Sequence, residues 1–243
     1  GVSQSLINTL SNYIDSGIYP DIYEHGGVGA SGDLVQLAHL ALGIIGEGKG
    51  VNNEGEQDDI SKLIKESNLQ PHKLELRDGL AMINGTACMT ALSAINIINS
   101  KILIKWSVKI SAMMLEIFGS YDDYISKELN QVKLHDGQNE IALRIRNILE
   151  TSSLITNRYS GEDKNFQEFY SVRCTPQVLG PILDTINFSE LVVENEINSV
   201  DDNPIIDVDN QKIVHGGNFH GDYISLEMGN EKETPSDPNP TTI

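Results

Sequence analysis

Apolar positions recur at three- and four-residue spacing over most of the chain, which is the spacing of a helix face rather than a strand. In "SQSLINTLSNYIDSG", Leu6, Ile7, Leu10 and Ile14 fall on one stripe, and Gly17 and Pro20 stop the helix. "LVQLAHLALGIIGEG" puts Leu34, Leu37, Ala38 and Ala41 on one face, behind Asp33, a residue type that caps helix N-termini. His39 on that apolar helix reads as a packed core histidine. Residues 48–75 are polar and glycine-bearing, an excursion with one short helix around Ile60–Lys65. From Thr86 to Phe118 the chain is apolar almost throughout, lacks proline and ends at Gly119. A helix apolar on most faces belongs inside a bundle, which makes Met113 and Met114 core filler. Further helical patterns cover about Gln138–Ile155 and Asn187–Ser199. Only "PIIDVDNQKIV" alternates, around Asp209-Asn210, and it reads as a small hairpin. The pattern predicts a mainly α chain with long central helices, little sheet and no internal repeat.

Composition narrows the class. The 243 residues carry a formal charge of −18, from 35 acidic and 17 basic side chains. A nucleic-acid binder shows a basic patch or stripe; "KILIK" and "LRIRN" are sparse and read as helix faces. Two cysteines, Cys88 and Cys174, make no disulfide framework and read as buried free thiols in a reducing compartment. No signal peptide is visible. The longest apolar candidate for a membrane span, "IKWSVKISAMMLEIF", is broken by lysines. These features predict a cytoplasmic globular protein. The chain opens without methionine, already in helical pattern, and closes on the polar, proline-rich "NEKETPSDPNPTTI"; a cut start and a disordered tail are expected.

Candidate chemistry begins in "HGGVGASGDLVQLAH", His25–His39, where Gly26, Gly27, Gly29 and Gly32 crowd a loop before a helix. A flexible turn is the plain reading. An anion cradle at a helix N-terminus is another, but no P-loop lysine follows and no strand precedes. A third reading is chemical. The amide nitrogen of Gly32 can attack the carbonyl carbon of Ala30, closing a five-membered ring with loss of water. Loss of the Ser31 hydroxyl as a second water leaves an exocyclic methylene. The product, methylidene-imidazolone, is an electrophile that no ordinary side chain supplies. Glycine gives the unhindered nitrogen and the tight backbone that closure needs.

Four further stretches bear on that choice. "RDGLAMINGTA" sets Asn84-Gly85 before the long helix. "FQEFYSVRCTPQVLG" clusters Gln167, Tyr170, Arg173 and Gln177. "NSVDDNPIID" holds Asn203 before Pro204. "HGGNFHG" holds Asn218, Phe219 and His220. His215 and His220 stand five apart, but no third ligand follows in a metal-binding pattern, so no metal is expected. These five blocks, in this order, resemble the aromatic amino acid ammonia-lyase family, which includes the histidine, phenylalanine and tyrosine ammonia-lyases and related aminomutases. The likeness runs from about Gly1 to Met228. The wording "EHGGVGASGDLVQL" and "HGGNFHGDYISLEM" looks most like the bacterial tyrosine ammonia-lyase branch.

The resemblance implies a fumarase/aspartase-like long helical bundle with a small mixed cofactor-loop region. It divides the chain into a cofactor-loop region over 1–83, part of the central bundle with active-site loops over 84–228, and a tail over 229–243. It implies a methylidene-imidazolone cofactor formed autocatalytically from Ala30, Ser31 and Gly32, to which the substrate amine adds before ammonia leaves. Arg173 corresponds to the arginine that binds the substrate carboxylate, a task suited to a planar guanidinium. Tyr170 corresponds to a tyrosine beside the cofactor that handles positioning and protons. Asn84 and Asn203 correspond to asparagines around the ring and the carboxylate, Phe219 to a ring-packing residue, and Gln167 to a supporting one. The partners implied are an aromatic L-amino acid, tyrosine first and histidine second, and further copies of the chain in a homotetramer. An aminomutase and a non-catalytic helical fragment are the alternative readings.

The sequence departs from the family pattern in three places. The tyrosine base and the substrate-reading motif that precede the cofactor loop in the family are not in this chain. The match stops near Met228, where family chains continue. The stretch Asn157–Phe166 is shorter than usual. An internal segment that is weakly active or inactive on its own is therefore expected.

Overall fold

The computed structural model describes residues 1–28, 33–160 and 167–233. The chain is mainly α, as its periodicity predicts, and it divides into two compact units. Gly1–Ser93 with Val193–Leu226 form unit 1; Ala94–Val192 and the chain from Glu227 form unit 2.

In unit 1, helix α1 (Gln4–Ser16) starts where the Ser3 hydroxyl accepts the Leu6 N–H, and it ends at Gly17, whose φ of 69° is left-handed. Its inward face is Leu6, Leu10 and Tyr13, spaced four and three apart; Ile7 and Ile14, expected on the buried stripe, are exposed. Tyr13 sets that choice, because its buried hydroxyl donates to the Ile44 carbonyl. Helix α2 (Leu34–Ile44) buries Leu37 and Ile44 but leaves Leu34 exposed, another departure from the predicted face. Three short strands, β1 (Tyr19–Pro20), β2 (Lys49–Val51) and β3 (Gln57–Asp59), form an antiparallel sheet in the order β1-β2-β3. Helix α3 (Ile60–Glu66) follows and supplies Ile60, Leu63 and Ile64 to the same core. The strands are too short to alternate legibly, and the sequence therefore reads as an excursion there.

Helix α4 (Asp78–Ile83) is tied down by a buried carboxylate. Asp78 accepts bonds from the Ser3 amide at 2.7 Å, the Ser3 hydroxyl at 2.8 Å and the Glu75 amide at 3.2 Å, and lies 3.0 Å from His72 Nε2. Burial alone would push its pKa up; the bonds from Ser3, His72 and Glu75 outweigh burial and hold it well below the ordinary 3.8. A depressed carboxyl stabilises the fold fully above its unfolded pKa and loses that contribution as pH falls toward the folded one. Asp78→Asn is accordingly expected to cost about 1–3 kcal/mol at about pH 7, with the gap to wild type narrowing below about pH 4. Urea unfolding of both proteins at the two acidities checks this.

Helix α5 (Ala87–Ile117) is the long apolar helix that the sequence predicts. Only one stripe of it is buried, comprising Thr90, Ser93, Ile97, Ile104, Val108, Ala112 and Leu115. Leu92, Ile95, Ile98, Leu103, Trp106, Ile110 and Met113 are more than half exposed, and Met114 is 38% exposed, so the methionines are not core filler in this chain. The stretch Asp78–Ile117 is also long and apolar enough, by length and composition, to cross a membrane, against the expectation that its lysines break it. Lys101 is in an ion pair with Glu190.

Unit 2 continues through a 3-10 turn at Asp122–Ile125, α6 (Lys127–Gln131), α7 (Asp136–Leu149), the single turn α8 (Tyr170–Arg173) and α9 (Thr175–Ile197), whose last residues from Val193 belong to unit 1. Helices α7 and α9 approach at glycine. A Cβ on Gly137 would lie 2.2 Å from the Gly180 carbonyl oxygen, and the Gly137 amide donates to Asp184 at 2.7 Å. The predicted hairpin is present in unit 1 as β4 (Ile205–Asp207) and β5 (Lys212–Val214), antiparallel with Ile206 opposite Ile213. Helix α10 (Asp222–Glu233) runs past the Met228 boundary drawn from the sequence; residues 234–243 lie outside the described residues.

Candidate functional site

The glycine loop leaves from Tyr23, whose ring packs on His39 with centroids 4.5 Å apart. His39 is partly exposed rather than core, with Nδ1 2.7 Å from the Val35 carbonyl oxygen. Gly26 has φ of 130°, and a Cβ there would lie 2.7 Å from Val35 Cγ1. A Cβ on Gly27 would come within 3.4 Å of Gln36. Gly26 and Gly27 therefore lie directly on the first turn of α2, where only glycine fits at position 26. Ala30, Ser31 and Gly32 fall outside the described residues.

Asp33 closes the loop on its other side. It stands at the N-terminus of α2, as expected, but its side chain makes no capping bond there. Instead it accepts the Met89 amide at 2.7 Å and so caps the first turn of α5. Burial pushes its carboxyl up, and the Met89 and Cys88 amides pull it part of the way back. Cys88 is half-buried; burial and then the Asp33 charge push its thiol up.

The same helix end is held by a second carboxylate. Asp201 accepts the Thr86 amide at 2.8 Å, and the Thr86 hydroxyl donates to Glu196 at 2.6 Å. A Cβ on Gly85 would lie 2.6 Å from Asp201 Oδ2, so Gly85 is a close-approach site. Asn84 ends α4 with φ of −110° and ψ of 77°. Arg77 donates to Asp202 at 3.1 Å and to the Asn203 carbonyl at 2.6 Å. The Asn203 Oδ1 accepts the Gly216 amide at 2.8 Å, which fixes the orientation of its side-chain amide and leaves Nδ2 as the donor. Unit 1 thus gathers Asp33, Asn84 and Asn203 onto segments anchored around the α5 N-terminus. Phe219 is half-buried in the following loop, where Asn218 Nδ2 donates to the Val200 carbonyl at 3.1 Å and His220 Nε2 lies 2.8 Å from Asp222.

Unit 2 carries Gln167, Tyr170 and Arg173 on one segment. Tyr170 and Arg173 are three residues apart on α8, which puts them on one side of the turn. The Arg173 Cζ lies 5.5 Å from the Tyr170 ring centroid. Arg173 Nε is buried and has no hydrogen-bond partner among the described residues, whereas Tyr170 is 69% exposed. Gln167 is exposed. The short Asn157–Phe166 stretch falls partly outside the described residues. A groove of about 640 Å³ on this unit, lined by Lys127, Asp136, Glu140 and Arg146 among others, includes none of these three residues.

Sequence reasoning passed over several anchoring residues, namely Glu168, Tyr124, Asn130, Glu196 and Asp201. Their partners are 44 to 115 residues away in the chain or depend on a buried network, and no local spacing marks them.

A family model described as aromatic amino acid lyase matches residues 1–232. Histidine ammonia-lyase of Myxococcus xanthus is 38% identical over 229 residues, covering 94% of this chain and 44% of that protein. Tyrosine ammonia-lyase of Cupriavidus metallidurans is 34% identical, covering 93% of the chain and 45% of that protein. Among solved structures, the phenylalanine aminomutase of Pantoea agglomerans aligns with a TM-score of 0.86 and 32% identity, covering 95% of this chain and 47% of the other. The chain thus spans less than half the length of these relatives.

Proposed function

The chain belongs to the aromatic amino acid lyase family, and from that premise we propose that it forms the cofactor loop and part of the substrate site of an ammonia-lyase that deaminates an aromatic L-amino acid, tyrosine to p-coumarate first. The observation that carries this reading is Arg173. Its guanidinium sits beside Tyr170 with a buried Nε that has no protein partner among the described residues, which is the disposition of a cation kept for a ligand carboxylate. Asn203 adds a directed donor, because its oxygen is already held by Gly216. Histidine is the second reading, favoured by the name of the relative at 38% identity.

The residues present fit a methylidene-imidazolone made from Ala30, Ser31 and Gly32. On either side of these residues, Gly26 admits no side chain over α2, and Asp33 accepts the amide of Met89. The group, when formed, supplies the electrophile that activates the substrate amine as a leaving group. The chain's own residues do the rest. Arg173 binds and orients the carboxylate, Tyr170 holds a proton at its phenol oxygen beside it, and Asn84 and Asn203 donate hydrogen bonds. Gln167 and Phe219 support the ring and carboxylate surroundings.

The exposed apolar faces of α5 support self-association into the homotetramer that the family resemblance implies, because contiguous apolar surface of this kind marks an interface. Two free, half-buried thiols support a reducing, cytoplasmic setting. The discriminating experiment follows product absorbance with the protein that carries this chain. Rising p-coumarate from tyrosine is expected. Urocanate from histidine with none from tyrosine would move the assignment to the second reading, and a β-amino acid product in place of either would make the enzyme an aminomutase.

A further inference from the structure

Tyr170 and Arg173 sit on a single helical turn, and one turn has too few backbone bonds to hold itself in place. What holds it lies on either side. Two residues before it, Glu168 is buried and accepts the hydroxyl of Tyr124, itself buried in the 3-10 turn. Four residues after it, the Gln177 amide donates to Asn130 Oδ1 at 3.5 Å. Asn130 is 1% exposed and also takes the Gln138 amide at 3.0 Å. It closes the circuit by donating from Nδ2 to the Tyr124 carbonyl at 3.3 Å and to the Ser126 carbonyl at 2.8 Å. The path Glu168, Tyr124, Asn130, Gln177 therefore brackets α8 with polar links, buried from Glu168 to Asn130 and part-buried and long at Gln177.

We propose that Tyr124 and Asn130 are positioning residues for the substrate-carboxylate site, clamping Glu168 and Gln177 so that the turn between them presents Arg173 and Tyr170 in one fixed arrangement. The inference rests on the lyase reading for what the turn binds, and on geometry alone for the clamp. Burial and then the hydrogen bond to Glu168 push the Tyr124 phenol up to about 12, so its hydroxyl keeps its proton throughout the neutral range. Buried links of this kind are costly to leave half made, which is why breaking one partner moves the segment rather than leaving it in place. Aromatic packing adds to the hold: the Phe169 ring meets Phe118 edge-on with centroids 6.1 Å apart.

The test uses Tyr124→Phe, which removes one oxygen and keeps the ring against Tyr121, with Glu168→Gln as the conservative variant that can still accept the bond. Amide hydrogen exchange of the purified chain is read at Val172, Arg173 and Cys174, whose amides donate to Phe169 and Tyr170 carbonyls. Exchange at these amides is expected to speed up on the order of tenfold in Tyr124→Phe, with α7 unchanged, and to stay near wild type in Glu168→Gln. In the active protein, Tyr124→Phe is expected to raise KM several-fold more than it lowers kcat. Unchanged exchange in Tyr124→Phe overturns the clamp. So does an equal loss over α7 and the turn, since the pair would then hold the whole unit. Absence of lyase activity from the wild-type protein would sink the lyase reading and leave the exchange result to decide the clamp by itself.

Discussion

Ser31→Ala is expected to reduce deamination to background and to lack the loss of two waters from its intact mass. In the proposed closure the Gly32 nitrogen would join the Ala30 carbonyl carbon with loss of one water, and a second water would take the Ser31 hydroxyl and leave the methylene. Alanine has no hydroxyl to lose, so the electrophile cannot form whatever the loop geometry. The wild-type mass, by contrast, should fall by two waters. No other residue of the chain can replace this chemistry, because ordinary side chains are nucleophiles or acids and bases and the missing part is an electrophile. The structure bears on whether closure is feasible. Gly26 lies against Val35 where a Cβ would collide, and Asp33 accepts the Met89 amide, so the described residues that flank Ala30–Gly32 are held in place. Mass spectrometry and product absorbance on the same samples check the prediction. An unshifted wild-type mass would refute ring formation in this chain, and an active Ser31→Ala variant would refute the role given to Ser31.

The parts of this architecture that were legible in the sequence are those set by local periodicity. The long helix α5 follows from an unbroken apolar run closed by Gly119, whose φ of 54° is the left-handed stop that glycine provides. The hairpin follows from alternation on both sides of a turn. The faces were less legible. Periodicity says that Ile7 and Leu6 lie near one another on α1, but the Tyr13 hydroxyl bond to Ile44 decides which of them is buried. The three-stranded sheet escaped because strands of two or three residues are too short to show a period. At the site, residue types with unusual chemistry stood out, and their supports did not. Asp33 reads as a cap of its own helix and turns out to cap α5, 56 residues further along the chain. Such long-range carboxylate caps depend on tertiary approach, which sequence spacing does not encode.

Arg173→Ala is expected to lower kcat/KM on the order of 10²-fold or more, equivalent to about 3 kcal/mol, mostly through KM. Binding a carboxylate by a guanidinium uses two parallel charge-assisted bonds, and truncation removes both together with the charge. Arg173→Lys keeps the charge but loses the planar fork, so an intermediate loss of about tenfold is expected. The contrast between the two variants separates charge from geometry. If Arg173 merely steadied α8, lysine and alanine would behave alike in binding, and thermal stability would fall with activity. Its surroundings argue for a ligand instead. The Arg173 guanidinium has Tyr170 for a neighbour at 5.5 Å and a buried Nε with no protein acceptor among the described residues, while the nearest buried carboxylate along the chain, Glu168, is held by Tyr124. A buried guanidinium N–H without a protein acceptor is costly to leave unpaired, even where the residue as a whole is half-buried. Wild-type kinetics in Arg173→Ala would show that the carboxylate is bound elsewhere; a stable variant with raised KM, partly restored by lysine, would place it on this turn.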